Sequence, residues 1–400
     1  MHDSATGTLV DTSDNHTTGN EPATLYVCGI TPYDATHIGH AATYIAFDTL
    51  HRAWLDAGRT VLYAQNTTDV DDPLLERAAA TGEDWRELAA AQTALFRRDM
   101  AALRVLPPDN FVAVTEKVPR IAQAVERLVG TGHAYRLGQD WYFDIAAATG
   151  ATWHLGSESA LDRDTMLALS AQRGGDPERI GKRDPLDPLL WRGERPGEPS
   201  WQSENLGAGR PGWHIECSVI AADCLGLPLT VQGGGSDLLF PHHEFTAAHT
   251  AALDGLPLAR VYAHSGMIAY RGEKMSKSLG NLVFVHELLE GGTDPRAIRL
   301  AILAHHYRED WEWTDAELSR AEDRLQRWVA TAQPTGERLA PDRHGLDARS
   351  PDRAVTELRD HIRRDLDTPA ALRLLDDTDA ADFTDDLVTA VDALLGIRLR

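Results

Sequence analysis

The stretch ITPYDATHIGHAATY, residues 30 to 44, places His37 and His40 on either side of Ile-Gly, between a short apolar run and a segment with amphipathic helical spacing. Two imidazoles at a helix start can simply cap or pack. They can also meet phosphate, because the first helical turn carries partial positive charge and unpaired N–H groups, and imidazoles there donate to phosphoryl oxygens as charge builds. Far along the chain, Lys274-Met275-Ser276-Lys277-Ser278 sits in a glycine-flanked loop between HSGMIAY and LVFVHEL. Alone, such a loop is ordinary solvated surface; in one chain with H-I-G-H it carries weight. Cys28, Cys217 and His242 are good zinc-ligand types, yet they lie far apart, and spacing by itself favours a pair of buried thiols and a surface histidine. Cys224, seven residues after Cys217, falls on roughly the same helix face and is expected to pack rather than ligate.

The elements that must position these residues follow from periodicity. TLYVCGI (24 to 30) reads as a buried strand, Ala41 to Ala57 as a helix that Gly58 can end, and TVLYAQNTTDVDD (60 to 72) as a strand running into a polar loop. This is a βαβ unit, with His37 and His40 at the strand-to-helix turn where ligands gather. Helical patterns follow near 73 to 104 and 117 to 131. GWHIECSVIAADCLG and FPHHEFTAAHTAAL are helical and PLTVQGGG is a strand entering glycines, which makes a second α/β half. The predicted organisation is a disordered tail over 1–22, a first catalytic half over 23–144, an aperiodic insertion over 145–210, a second half over 211–285 carrying the lysine loop, and an all-helical C-terminal domain over 286–400. Helix starts are expected at Thr293-Asp294-Pro295 and at the capping box Thr314 to Glu317, with a Pro-, Gly- and Asp-rich separator over 331–352.

A chain of 400 residues with 42% apolar content can bury a substantial core. The formal net charge of −22 argues against a broad nucleic-acid footprint, which needs clustered Lys and Arg, while leaving room for one local basic groove. No stretch approaches the roughly 18 apolar residues of a membrane span, the polar N-terminus lacks the apolar run of a signal peptide, and three cysteines make a poor disulfide framework. A cytoplasmic protein with no membrane partner is expected.

His37-Ile38-Gly39-His40 and Lys274 to Ser278 match, without departure, the two signatures of class I aminoacyl-tRNA synthetases and their relatives. The resemblance implies a Rossmann-like α/β catalytic domain of the HIGH/KMSKS type with an insertion and a C-terminal helical domain. It also implies that His37, His40, Lys274 and Lys277 hold ATP, with Mg2+ on its phosphates, while an amino-acid carboxylate attacks the α-phosphorus. YVCGITPYDATHIGHAATY, GRPGWHIECSVI and GGGSDLLFPHHE resemble specifically the cysteine-activating branch. In that branch the residues matching Cys28, Cys217 and His242 bind one Zn2+, leaving an open tetrahedral position for the substrate thiolate. By the same resemblance, Thr31 and Trp213 line the L-cysteine pocket with Cys28, Gly29 and Ile30, and Asp237 meets the substrate ammonium. Thr43, Asn66, Thr67, Thr68, Gly235, Ser236 and Ile268 contact cysteinyl adenylate.

Two families share these motifs: cysteinyl-tRNA synthetase, and the mycothiol-pathway ligase that joins cysteine to the amine of glucosaminyl-inositol. Four features favour the ligase. Thr246 stands where synthetases commonly carry a fourth, glutamate ligand; Ile30, Pro32 and Ala41-Ala42 replace the usual synthetase residues; and QRGGDP (172 to 177) resembles the ligase motif E-R-G-G-D-P, departing only at Gln172. The acidic helical region after Ser278 also looks short for anticodon reading. The expectation is therefore a monomeric ligase using ATP, L-cysteine and glucosaminyl-inositol, with tRNA not a partner; the alternative is a cysteinyl-tRNA synthetase.

Overall fold

The computed structural model describes residues 1–12, 21–274, 281–333 and 353–400. The strand Ala23–Ile30 is buried at every position but Gly29, as a strand covered on both faces must be. It is the middle of a five-stranded parallel sheet whose order is Ala259–Ser265, Leu229–Gly235, Ala23–Ile30, Val61–Thr67, Asn110–Ala113. The first βαβ unit and the second α/β half thus meet side by side. All five strands end at one edge, and the connection leaving Ala23–Ile30 carries the H-I-G-H turn.

The helix Ile38–Asp56 that follows is buried around almost its whole circumference, not along one stripe. The sheet covers one side, and Pro295–Leu303 and Asp385–Leu395 of the C-terminal region cover another. A buried ion cluster ties these elements together. Asp48 accepts from Arg52 at 2.7 Å and is paired with Arg299, and the two guanidiniums also donate to the carbonyls of Leu103, Arg104, Asp392 and Leu395. Burial pushes the Asp48 carboxyl up, but Arg299 and Arg52 outweigh it and hold it below the usual carboxylate value. Its contribution to stability is therefore present above the unfolded value of about 3.9 and is lost as pH falls through the lower folded value. Asp48→Ala leaves two buried guanidiniums unmatched and is expected to cost about 3–5 kcal/mol in urea unfolding at neutral pH. A loss under about 1 kcal/mol would show that the guanidiniums do not depend on it.

The structure departs from the sequence reading in three places. Residues 1 to 12 do not form a disordered tail: His2–Asp3 and Thr8–Leu9 make a small antiparallel hairpin whose Met1 is buried. The hairpin is held because Asp3 accepts from the Tyr262 N–H, and the Ser4 N–H donates to the Tyr262 carbonyl. Nothing in a polar dodecapeptide announces a partner some 260 residues away. Second, the aperiodic segment is organised by a four-stranded antiparallel sheet, Ala134–Leu137, Asp140–Phe143, Leu189–Gly193 and Gly209–Pro211, so the boundary expected at 145 separates its first two strands from the other two. Third, the C-terminal region is not purely helical. Trp311–Trp313 pairs in parallel with Ile268–Tyr270, and Glu273–Lys274 closes that sheet from the other side. Three-residue strands give too little alternation to be seen over a helical background.

The expected helix starts hold: Asp294 caps Pro295–Leu303 and Thr314 caps Asp315–Ala332. The separator lies largely outside the described residues. Among the described residues, no helix is long and apolar enough to cross a membrane.

Candidate active site

The sheet edge where the five strands end gathers most of the residues singled out from sequence. Cys28 to Thr31 leave the middle strand, Asn66 to Thr68 leave Val61–Thr67, and Gly235 to Asp237 leave Leu229–Gly235. Asn66 knits two of these ends: its Oδ1 accepts from the Gly29 N–H at 2.8 Å and from the Tyr26 hydroxyl at 3.1 Å, and its Nδ2 donates to Thr68. Gly29 has to be glycine, since a Cβ there would sit 1.5 Å from the Asn66 carbonyl oxygen. Thr43 shares a hydrogen bond with Ser265 at 2.8 Å, joining the first helix to a fourth strand end.

His37 is the N-cap of Ile38–Asp56; its Nδ1 accepts from the Gly39 N–H, and its ring stacks on His40 with centroids 3.8 Å apart. A Cβ on Gly39 would come within 2.8 Å of the His37 ring, so the central glycine of H-I-G-H is what lets the two imidazoles stack. His40 Nδ1 is buried with no hydrogen-bond partner, and burial lowers the imidazole pKa to about 4 against the opposing pull of Asp237 and Asp34. The ring is therefore neutral at physiological pH.

Lys277 and the Lys274 side chain lie outside the described residues. The flanks of their loop are described, and the one that follows it meets this turn. Lys274 pairs with Ala269 on one side; on the other, the Ile38 N–H donates to Val283 and the Val285 N–H donates to Thr36. Ile268, which begins the strand leading into the loop, is buried.

Cys28, Cys217 and His242 converge although 189 residues separate the first two: their Sγ atoms lie 3.9 Å apart, and one donor atom from each of the three falls within 4.8 Å of the others. The cluster comes together because the helix Trp213–Leu225 packs on the strand carrying Cys28, and Leu239–His243 turns back against that helix. All three are buried and the cysteines are free thiols. The donor set fits a soft divalent metal, and His242 Nε2 is a buried atom with no protein partner, as an imidazole nitrogen facing a metal position would be. Burial pushes the Cys28 thiol up, while the hydrogen bond from Cys28 holds Cys217 well down, so Cys217 is the readier thiolate. Thr246 does not reach the cluster, because its hydroxyl donates to the His242 carbonyl at 2.6 Å. Cys224 is half-buried against apolar neighbours and outside the cluster.

Residues missed from sequence support this centre. His243 Nε2 lies 3.4 Å from Cys28 Sγ, its Nδ1 lies 2.8 Å from His264, and His264 meets the Ser4 hydroxyl at 2.8 Å. The doubled histidine of FPHHE was a visible signal for His243; Ser4 and His264 gave none. Trp213 stacks near His242, with ring centroids 4.4 Å apart, and lines with Thr31 a cleft of about 570 Å³. Arg173 of QRGGDP ties the insertion to this centre by donating to the Asp237 carbonyl at 2.6 Å and to that of Phe240. Gln172 is exposed, away from the cleft.

A parallel sheet whose strand ends meet stacked imidazoles at a helix start, beside the base of a lysine-bearing loop, defines a class I synthetase-type catalytic domain. Residues 15–323 match the model of the tRNA synthetases class I (C) catalytic domain. The chain is 61% identical over 394 residues to the L-cysteine:1D-myo-inositol 2-amino-2-deoxy-alpha-D-glucopyranoside ligase of Clavibacter sepedonicus, covering 96% of this chain and 95% of that one. It is 56% identical to the ligase of the same name from Xylanimonas cellulosilytica, covering 100% and 95%. The chain belongs to this ligase family, within the class I synthetase type. In fold it is similar to Mycobacterium tuberculosis methionyl-tRNA synthetase in complex with methionyl-adenylate, with a TM-score of 0.63 at 17% identity, covering 94% of this chain and 89% of that one.

Proposed function

We propose that this chain activates L-cysteine with ATP and transfers the cysteinyl group to the amine of glucosaminyl-inositol, forming an amide, AMP and diphosphate. The observation that carries this reading is the near-full-length identity to relatives named for that ligation, in a chain whose buried Cys28, Cys217 and His242 stand beside the cleft.

In the first step the cysteine carboxylate attacks the α-phosphorus of ATP and diphosphate leaves. His37 and His40 donate to phosphoryl oxygens at the helix start, Lys274 and Lys277 complete that set, and Thr43, Gly235 and Ser236 hold the nucleotide against the strand ends. Asp237 meets the substrate ammonium, and Thr31 and Trp213 wall the side chain. Cys28, Cys217 and His242 would hold zinc, which would supply a soft position preferring a thiolate to serine's hydroxyl, and magnesium would accompany ATP. In the second step the sugar amine attacks the activated carbonyl. The free thiols suit a reducing cytoplasm.

The test offers ATP, magnesium and cysteine with glucosaminyl-inositol and cysteine tRNA together, and identifies the product by mass spectrometry. Cysteinyl-glucosaminyl-inositol is expected. Charged tRNA alone would make the chain a short cysteinyl-tRNA synthetase.

A further inference from the structure

The cleft that opens from Thr31 and Trp213 runs between the loop after Val61–Thr67, the residues of QRGGDP and the antiparallel sheet of the insertion. Its volume of about 570 Å³ falls within the roughly 300–1,000 Å³ usual for small-molecule sites. Most of its charge is already matched. Asp72 and Glu198 pair with Arg192 and Arg210; Asp140 pairs with Arg179 and Arg195; Asp176 pairs with Lys182. Arg173 is spent on backbone carbonyls. Among the described residues lining the cleft, these contacts leave no Lys or Arg unmatched to draw an anionic ligand.

Three lining carboxylates stand outside these pairs: Glu76 is exposed, Asp187 is spent on the Ile145 and Asp184 N–H groups and the Tyr135 hydroxyl, and the third is Asp71. It lines the same cleft, its Oδ1 accepts the Asp72 N–H at 2.8 Å, and it makes no ion pair among the described residues. The strand pairing fixes its place: Ile30 is registered with Thr67, and the Thr68 N–H donates to the Ile30 carbonyl, so the chain toward Asp71 leaves the sheet beside Thr31. A carboxylate without an ion-pair partner, at the cleft wall next to the activated carbonyl's pocket, is the complement of a primary ammonium.

Building on the proposed function, we propose that Asp71 receives the acceptor's ammonium in this cleft and takes its proton, freeing the amine to attack the cysteinyl carbonyl. The paired arginines and carboxylates opposite offer N–H donors and carboxylate acceptors to the hydroxyls of a neutral polyol. The proton passes from nitrogen to Asp71. The nitrogen lone pair then forms the C–N bond, the acyl C–O bond to phosphate breaks with its electrons going to AMP, and the second nitrogen proton leaves on the AMP phosphate. The groups facing Asp71 set its basicity. Burial is the main cause that raises its carboxyl to about 6, Asp72 adds to this, and Arg210 and Arg192 oppose it. Glu216 and Tyr33 sense its charge from the neighbouring helix and loop. A base titrating there is ionised at neutral pH and close enough to an amine's range to exchange a proton.

Asp71→Asn is the informative variant, because asparagine caps the helix Asp72–Thr81 as well as aspartate does. Amide formation by the unaltered enzyme is read first, so that failure of the functional reading and failure of Asp71's role are separate results. Preformed enzyme-bound cysteinyl adenylate is then mixed with glucosaminyl-inositol across pH, and in parallel with hydroxylamine, whose free base is abundant at neutral pH. The variant is expected to transfer to glucosaminyl-inositol at least about a hundredfold more slowly near neutral pH, with the deficit shrinking as pH rises through the acceptor's own titration and with hydroxylamine transfer nearly unchanged. A transfer rate and pH profile like the unaltered enzyme's, or an equal loss with hydroxylamine, would overturn the proposal.

Discussion

Cys217→Ala is expected to strip bound zinc and to lower cysteine-dependent pyrophosphate exchange at least about a hundredfold, since the anchor that holds and orients the substrate thiolate is lost. The expectation rests on the cluster's geometry. Two sulfurs and one imidazole nitrogen lie within 4.8 Å of one another, and His242 Nε2 has no protein partner. Among the described residues three protein ligands converge, and the Thr246 hydroxyl is turned to the His242 carbonyl instead. Removing one leaves two, too few to hold the ion against water and competing chelators. Metal analysis of the purified variant is the first readout, and discrimination between cysteine and serine is the second. Cys224→Ala, outside the cluster and half-buried, serves as the control and should keep both zinc and exchange. A Cys217→Ala enzyme that is free of zinc yet exchanges at the unaltered rate would remove the metal from the proposed function.

His40→Ala is expected to reduce the same exchange by about 10²–10³, the loss typical of one donor aimed at developing charge. His40 Nδ1 is buried without a partner, and the ring is clamped by stacking on His37. Burial holds its pKa near 4. A lowered imidazole pKa means the neutral form dominates above that value, so the ring acts as a neutral donor at pH 7 and contributes no titration near 6.5. The acid limb of the exchange rate should accordingly be the same in His40→Asn as in the unaltered enzyme, even though the rate falls. An acid limb near 6.5 that disappears on substitution would show instead that His40 works as a cation.

The sequence by itself determined the local features. Apolar runs bounded by glycines gave the strands Ala23–Ile30 and Leu229–Gly235, because a fully buried strand leaves a composition signal within its own length. Asp294-Pro295 and Thr314 marked helix starts for the same reason: a cap acts within one turn. H-I-G-H was legible as a four-residue pattern at a helix start and took its meaning from the resemblance, while the stacking of its imidazoles over Gly39 was seen only in the structure. The three candidate metal ligands were readable as types, and only a family resemblance joined them.

What the tertiary structure alone decided is everything that depends on contact across the chain. Cys28 meets Cys217 because a helix packs on a strand 189 residues upstream; the opening hairpin is ordered because Asp3 meets Tyr262. Arg173 is tied to the Asp237 carbonyl, which turns an unremarked basic residue into a strut between the insertion and the adenylate-facing loop. Asp71 looked like one more acid in TTDVDD, and it differs from Asp72 because two arginines of the insertion sheet pair with the latter and leave the former without an ion pair among the described residues. Charge compensation is a property of neighbours in space, and sequence spacing records neighbours only along the chain.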